Sequence, residues 1–304
     1  MPASSANLGP GFDALALALG LHLKCTLRKS GQGFRIRVTG AGDSEIPCNE
    51  SNLIWRAFLR FAVPERAEEN LELEIVNEIP LGRGLGSSAA AIVAGMALAN
   101  EWLGLGRSRA QLIQAATEME GHPDNVAAAV RGGLVVCCQT DDGSVLTANA
   151  RFPKDVETVL VVPQYQLSTE AARAVLPALY SRQDAVFNLQ RVALLLAALG
   201  EGRTELLAEA LRDRLHQPWR APLLPGFAEI LKLHNIPGLL GVALSGAGPA
   251  VVAFCRSRSL EAGEAIVACF RRQNIEATAL RLPIDEHGLV VERLPEPDAA
   301  VEAI

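Results

Sequence analysis

Between residues 19 and 27 the odd positions are apolar: Leu19, Leu21, Leu23, Cys25 and Leu27. His22, Lys24 and Thr26 stand between them. A period of two predicts a half-buried strand. Turn formers follow at residues 30–33, and residues 34–38 alternate again, so a hairpin is expected there. Ser51 is placed to cap a helix carrying Leu53, Ile54, Phe58 and Leu59 on one side. Residues 71–76, Leu-Glu-Leu-Glu-Ile-Val, restore the strand period. Residues 87–103 contain no proline and one interior glycine, Gly95, and predict a helix. Ser108 and Gln111 have capping-box spacing and open the next helix, which Gly121 and Pro123 stop. A short helix to Gly132 and Gly133, a strand at 134–139 and a hairpin-type turn at 141–143 complete this half.

Around residues 150–155, Pro153 and several charges separate two strand-like runs. The expected division is therefore 1–150 and 151–304. The second half predicts a strand at 158–162, a helix opening at 168–173, and helices at 184–199, 203–213 and 226–234. Strands at 239–244 and 250–255 flank the tight turn Ser245-Gly246-Ala247-Gly248-Pro249. A helix at 260–273 and strands at 276–282 and 289–294 follow. Strands interleaved with helices around a central hairpin indicate an α+β domain of split-βαβ type. There is no long-period repeat.

Composition narrows the function classes. A chain of 304 residues with 49% hydrophobic residues can build one large or two ordinary cores. A net charge of −6 with scattered basic residues argues against a general nucleic-acid surface. The six cysteines are not spaced as metal pairs, so buried reduced thiols and a cytoplasmic setting are expected. The start lacks a signal-peptide layout, and the apolar runs near 186–200 are too short and interrupted to span a membrane.

The chemistry gathers at Pro80-Leu81-Gly82-Arg83-Gly84-Leu85-Gly86-Ser87-Ser88. It lies between a predicted strand and a predicted helix. A helix start offers unpaired N–H groups and positive dipole charge, and glycines let a ligand approach the backbone. Phosphate suits such a loop. It is not a Walker A loop, because no lysine precedes the serine, and it is a poor dinucleotide fingerprint. The serine hydroxyls add oxygens suited to phosphate or Mg2+. A ligand-free glycine connection is the alternative.

Read together, three stretches closely resemble the signature motifs of the GHMP kinases. They are Pro2-Ala-Ser-Ser-Ala-Asn7-Leu-Gly-Pro-Gly-Phe-Asp13, the glycine loop with Ala89 and Ala90, and Leu244-Ser-Gly-Ala-Gly-Pro249. The first stretch and Glu120-Gly-His-Pro-Asp-Asn-Val126 resemble the homoserine kinases in particular. The resemblance runs from Met1 to about Leu294. It implies a ribosomal S5-like N-terminal domain, a ferredoxin-like C-terminal domain, and ATP with L-homoserine between them. The implied product is O-phospho-L-homoserine, on the way to threonine. A homodimer is also what the family suggests.

By resemblance, Pro80 to Ser88 hold the triphosphate, with Ser88 a ligand of Mg2+ and phosphate. Glu120 is the expected carboxylate on Mg2+, with Glu118 in reserve. His122 and Asn125 fall on the substrate side, and Asp124 reads as a turn residue. Asn125 cannot take a proton at neutral pH, so no protein base is expected. The substrate hydroxyl would pass its proton to a phosphate oxygen or solvent, which suits a loose transition state. Asn7 and Asp13 match substrate-binding positions, with Asp13 set for the ammonium. Thr169 and Arg173 lie one helical turn apart. Arg173 and Arg220 are expected to hold the carboxylate, and the 245–249 turn to support the glycine loop. Family members usually carry a short strand before the first motif, whereas here Met1-Pro2 lies inside it. Losing that strand would expose its neighbour. The rival readings are another small-molecule kinase of this superfamily and a catalytically silent ligand sensor.

Overall fold

A computed structural model describes residues 1–31, 33–62, 70–233, 236–294 and 300–303. Two sheets carry the architecture. The first has eight strands among the described residues. Its spine is β2 (Leu15–Lys29), long enough to take different partners at its two ends. The leading half pairs with β1 (Pro2–Ala6) and β5 (Leu134–Gln139). The trailing half pairs with β4 (Leu71–Asn77) and with β12 (Ala300–Ala303). β3 (Arg35–Gly40) lies beyond β4 and parallel to it, β6 (Val145–Ala150) forms a hairpin with β5, and β11 (Val291–Leu294) flanks β12.

The period-two reading of residues 71–76 holds, since Leu71, Leu73 and Ile75 are buried and Glu74 and Val76 are exposed. The expected hairpin between the first two alternating stretches is corrected. β3 does not pair with β2; helix α1 (Leu53–Phe61) carries the chain across, and β4 inserts between them. Parallel neighbours require such a crossover. Alternation identifies the buried face and leaves the neighbour open. The cap of α1 is also corrected. Asn52 accepts from the backbone N–H groups of Ile54 and Trp55, while Ser51 turns to Asn49. Nor is β2 left open beside the first motif, because β12 pairs with it over residues 25–28.

Helix α2 (Ser87–Trp102) is buried along most of its length. It packs on α1 so closely that a Cβ on Gly95 would sit 2.1 Å from the Ile54 carbonyl oxygen. The expected capping box of Ser108 and Gln111 opens α3 (Arg109–Glu120), which Gly121 ends in a left-handed conformation. α4 (Asp124–Arg131) follows after one turn.

The second sheet joins β7 (Glu157–Pro163), β8 (Leu239–Leu244), β9 (Val251–Cys255) and β10 (Ala277–Leu282) in the antiparallel order β10-β7-β9-β8. α10 (Ser259–Arg271) packs on it. This is the split-βαβ, ferredoxin-like order expected from the sequence. Between β7 and β8 lie α5 (Thr169–Ala174), α6 (Arg182–Glu201), α7 (Leu207–Ala210), α8 (Gln217–Arg220) and α9 (Phe227–Ile230). The single helix expected at 203–213 is instead a short 3-10 turn and α7. The one expected at 226–234 is reduced to α9, and its last residue lies outside the described residues. One apolar core runs from the first sheet to the second without interruption, with Leu17, Ile92, Leu211 and Val252 among its members. The expectation that the thiols are buried holds for Cys25, Cys137, Cys255 and Cys269 and is corrected for Cys48 and Cys138, which are exposed.

Candidate active site

The glycine loop runs from the end of β4 to the first turn of α2. Gly86 takes the N-cap position in a left-handed conformation, and no side chain caps the helix. The first-turn N–H groups, which have no partners within a helix, therefore have no side-chain cap. The loop is held from behind by the turn between β8 and β9. Ser245 Oγ donates to the Gly84 carbonyl at 2.8 Å, and Ala250 N–H donates to that of Arg83 at 3.1 Å. A Cβ on Gly84 would lie 2.2 Å from the Ser245 carbonyl oxygen, so only glycine fits. One on Gly86 would meet Ser4 Oγ at 2.2 Å and Asn125 Oδ1 at 2.8 Å.

In front of the loop lies a cavity of about 220 Å3. Every residue expected in the site lines it except Leu81, which faces a neighbouring cavity. Glu120, at the end of α3, accepts from Ser88 Oγ at 2.5 Å. Burial raises its pKa despite the serine hydroxyl and nearby His122. Glu118 lines neither cavity; its carboxylate accepts from Gln114. The Ser88–Glu120 pair offers two hard oxygens, with His122 Nε2 3.9 Å from the carboxylate. That donor set fits Mg2+, which takes one or two protein oxygens and leaves the rest to phosphate and water.

Asp124 begins α4 and is 2% exposed. Its Oδ1 accepts from His122 Nδ1 at 2.9 Å and from Asn125 N–H at 2.7 Å. Burial alone would lower the His122 pKa, but the Asp124 hydrogen bond and the charges of Asp124 and Glu120 outweigh it, and the net direction is upward. Asn125 Oδ1 accepts from Ser4 Oγ at 2.8 Å. The amide's N–H groups have no partner among the described residues.

The far wall comes from the first motif and the second sheet. Asn7, Leu8 and Gly9 are consecutive residues with positive φ, and Asp13 is a fourth. Such conformations in non-glycine residues persist only where the surroundings impose them. Asn7 provides part of that restraint: Nδ2 donates to the Gly246 carbonyl at 2.9 Å, and Oδ1 accepts Asp13 N–H at 3.0 Å. Asp13 and Arg173 form a two-pronged ion pair at 2.7 and 3.0 Å. Arg220 is 1% exposed. It donates to the carbonyls of Ala172 and Gly246 and reaches His216 Nδ1 at 3.2 Å. Burial, and then the charge of Arg173, lower its pKa to about 10. Both guanidinium groups lie about 5.5 Å from the Phe12 ring centre.

Comparison with known proteins decides the family. The GHMP kinases N terminal domain matches residues 52–133, and the GHMP kinases C terminal domain matches 195–276. The homoserine kinase of Solibacter usitatus is 46% identical over 294 residues, covering 96% of each chain. The chain belongs to the homoserine kinase family of GHMP kinases. That of Moorella thermoacetica is 44% identical over 96% of this chain and 98% of its own. The crystal structure of homoserine kinase from Cytophaga hutchinsonii superposes with a TM-score of 0.83 at 30% identity, covering 94% of both chains.

For a GHMP kinase of this family, the structure adds residues that the motifs did not single out. Ser4 orients Asn125 from within the first motif. Asp213 and His216 back Arg220, although only the arginine of that segment stood out in the sequence. The second cavity, of about 280 Å3, opens beside Leu81, Ser87 and Ser88. Ile46, Pro47, Leu53 and Ile75 line it, with Asn52 and Glu45 at its polar positions. Gln166 Nε2 donates to Glu45 at 2.8 Å and Leu167 N–H donates to the Gly82 carbonyl at 3.1 Å, so the segment after β7 lies against the glycine loop. No spacing rule in the sequence marks these contacts.

Proposed function

We propose that the protein transfers the γ-phosphoryl group of ATP to the side-chain hydroxyl of L-homoserine, with the triphosphate on the glycine loop. The carrying observation is one cavity in which an uncapped helix start and an oxygen pair face a carboxylate and two arginines. The apolar second cavity, adjoining the same helix start, takes the nucleotide base. The boundary near residue 150 separates a phosphate-holding part from one that supplies Thr169, Arg173 and Arg220. The last strands, β11 and β12, return to the first sheet.

Bound Mg2+ would neutralise phosphate charge, with Ser88 and Glu120 as its protein oxygens. The remaining work belongs to the chain. The Asp13–Arg173 pair is a ready receptor for a zwitterion, since the substrate ammonium takes Asp13 and its carboxylate takes Arg173 and Arg220. Ion pairs of this kind are strengthened by two-pronged geometry. Asn125 then donates to the substrate hydroxyl oxygen, because its own oxygen already accepts from Ser4. Asp124 is occupied by His122 and the Asn125 backbone, so it is not the base. The hydroxyl proton leaves to a phosphate oxygen or solvent. In a loose transition state, positioning and charge stabilisation dominate over nucleophile activation.

The reading includes a cytoplasmic location and a homodimer; sedimentation tests the latter. Among the described residues no helix is long and apolar enough to cross a membrane. A coupled ADP assay with and without L-homoserine tests the activity. ADP release that depends on homoserine, with O-phosphohomoserine recovered, supports it. ATP binding without phosphorylated product would favour the silent sensor instead.

A further inference from the structure

Arg220 is held by a largely buried polar assembly. His216, at the N-cap of α8, has no exposed surface. Its Nε2 lies 2.7 Å from the Gly9 carbonyl oxygen. A carbonyl cannot donate, so Nε2 must carry the proton. Its Nδ1 lies 3.2 Å from Arg220 Nη1, and a guanidinium nitrogen cannot accept. Nδ1 must therefore be the bare, accepting nitrogen. The two contacts together leave only the neutral Nε2–H tautomer.

The histidine is locked in turn by Asp213, whose carboxylate accepts from Asn188 Nδ2 and from the backbone N–H groups of Leu215, His216 and Gln217. Phe12 stacks on the imidazole at 5.3 Å. The ring thus joins the first motif at Gly9 to the arginine of α8. Arg220 Nε and Nη1 are committed to Ala172, Gly246 and His216, and Nη2 has no partner among the described residues.

We propose that His216 is a positioning residue for the substrate: its Nδ1 lone pair fixes the rotation of the Arg220 guanidinium, so that the free edge faces the substrate carboxylate. The inference rests on reading Arg220 as a carboxylate-binding cation. A protonated imidazole could not serve, because it would set an N–H against an N–H. The lowered pKa of the buried ring agrees with this.

The test separates the two ring nitrogens. Asn places an amide oxygen where Nδ1 was, and Gln places an amide nitrogen where Nε2 was. H216N keeps the acceptor for Arg220, and H216Q keeps only the donor to Gly9. Steady-state kinetics should give H216Q a homoserine KM at least tenfold above wild type, with the KM for ATP within twofold. H216N should stay within threefold of wild type for both. R220A is run beside them and should raise the homoserine KM at least as far as H216Q does. If R220A raises it and H216Q does not, or if H216N and H216Q are impaired alike, the positioning role is overturned and the Arg220 reading stands. If R220A leaves homoserine KM unchanged, the Arg220 reading itself fails. Should the variants not fold, nitrogen-15 NMR of the wild-type histidines decides. A ring fixed as the neutral Nε2–H tautomer from pH 5 to 8 supports the role; a set of spectra without such a ring refutes it.

Discussion

Asn125 shows how much of the reading turns on single atoms. Its side-chain oxygen faces Ser4 and the neighbouring Asp124 carboxylate is already occupied, so its remaining capacity is to donate. Misplacing a reacting group by about 1 Å costs on the order of 10² in turnover. Asn125→Ala should lower kcat by a factor of that order while the KM for ATP stays within twofold; unchanged turnover would remove Asn125 from the reaction. His216 carries a second prediction, about stability. Its folded-state pKa is depressed by burial and by Arg220, against the opposing pull of Asp213, the Gly9 carbonyl and Asp13. The unfolded chain therefore binds the proton more readily, so native stability is lost as pH falls below about 6.5, the ordinary histidine value. Above that pH the contribution is fully present. The stability gap between wild type and H216N, measured by urea unfolding, should therefore narrow from pH 8 to pH 5. A gap that widens would mean that the ring is charged in the native state.

At the level of elements, the glycine loop is built by its neighbours as much as by its own sequence. Gly84 has φ of 76° and lies against the Ser245 carbonyl. Gly84→Ala meets both obstacles, and backbone strain of this kind costs about 1–3 kcal/mol. Its KM for ATP should rise at least tenfold. Ser108→Ala is the matched control: losing a helix cap costs about 1 kcal/mol, yet α3 begins far from the cleft. Thermal melts should show both losses and kinetics only the first; an unchanged KM for ATP in Gly84→Ala would separate the loop from the nucleotide. The loop was legible in the sequence because the positive φ of Gly82, Gly84 and Gly86 is a local requirement that glycine meets. The strand periods were legible for the same reason, since they are local. The β2–β3 hairpin was misread because its true neighbour, β4, is reached only through α1. The cap of α1 went to Asn52 rather than Ser51, a one-residue choice that helix propensities do not resolve. What joins the motifs stayed hidden, because those bonds link residues far apart in sequence. Asp13 meets Arg173 across 160 positions and Asn7 meets Gly246 across 239.

Across the whole molecule, those distant bonds make the cleft a joint product of both sheets. The first side contributes Ser88, Glu120, Asn125 and Asp13, and the second contributes Arg173, Arg220 and the Gly246 carbonyl. The apolar core continues from one to the other, so separate unfolding of the halves would leave apolar surface open on each. A ligand that touches both sides should then stabilise the whole chain in one step. At one hundred times its dissociation constant, such a ligand adds about 2.7 kcal/mol. For a chain of 304 residues that corresponds to roughly 4 °C in melting temperature. A nonhydrolysable ATP analogue and homoserine should each move a single transition upward. Arg220→Ala should keep the nucleotide shift and lose most of the homoserine shift at the same concentrations. Its own melting temperature without ligands supplies the baseline, so a general loss of stability is not mistaken for a loss of binding. Two separate transitions, with only one of them sensitive to homoserine, would mean that the cleft does not couple the two sheets and that Arg173 and Arg220 grip the substrate without help from Asp13.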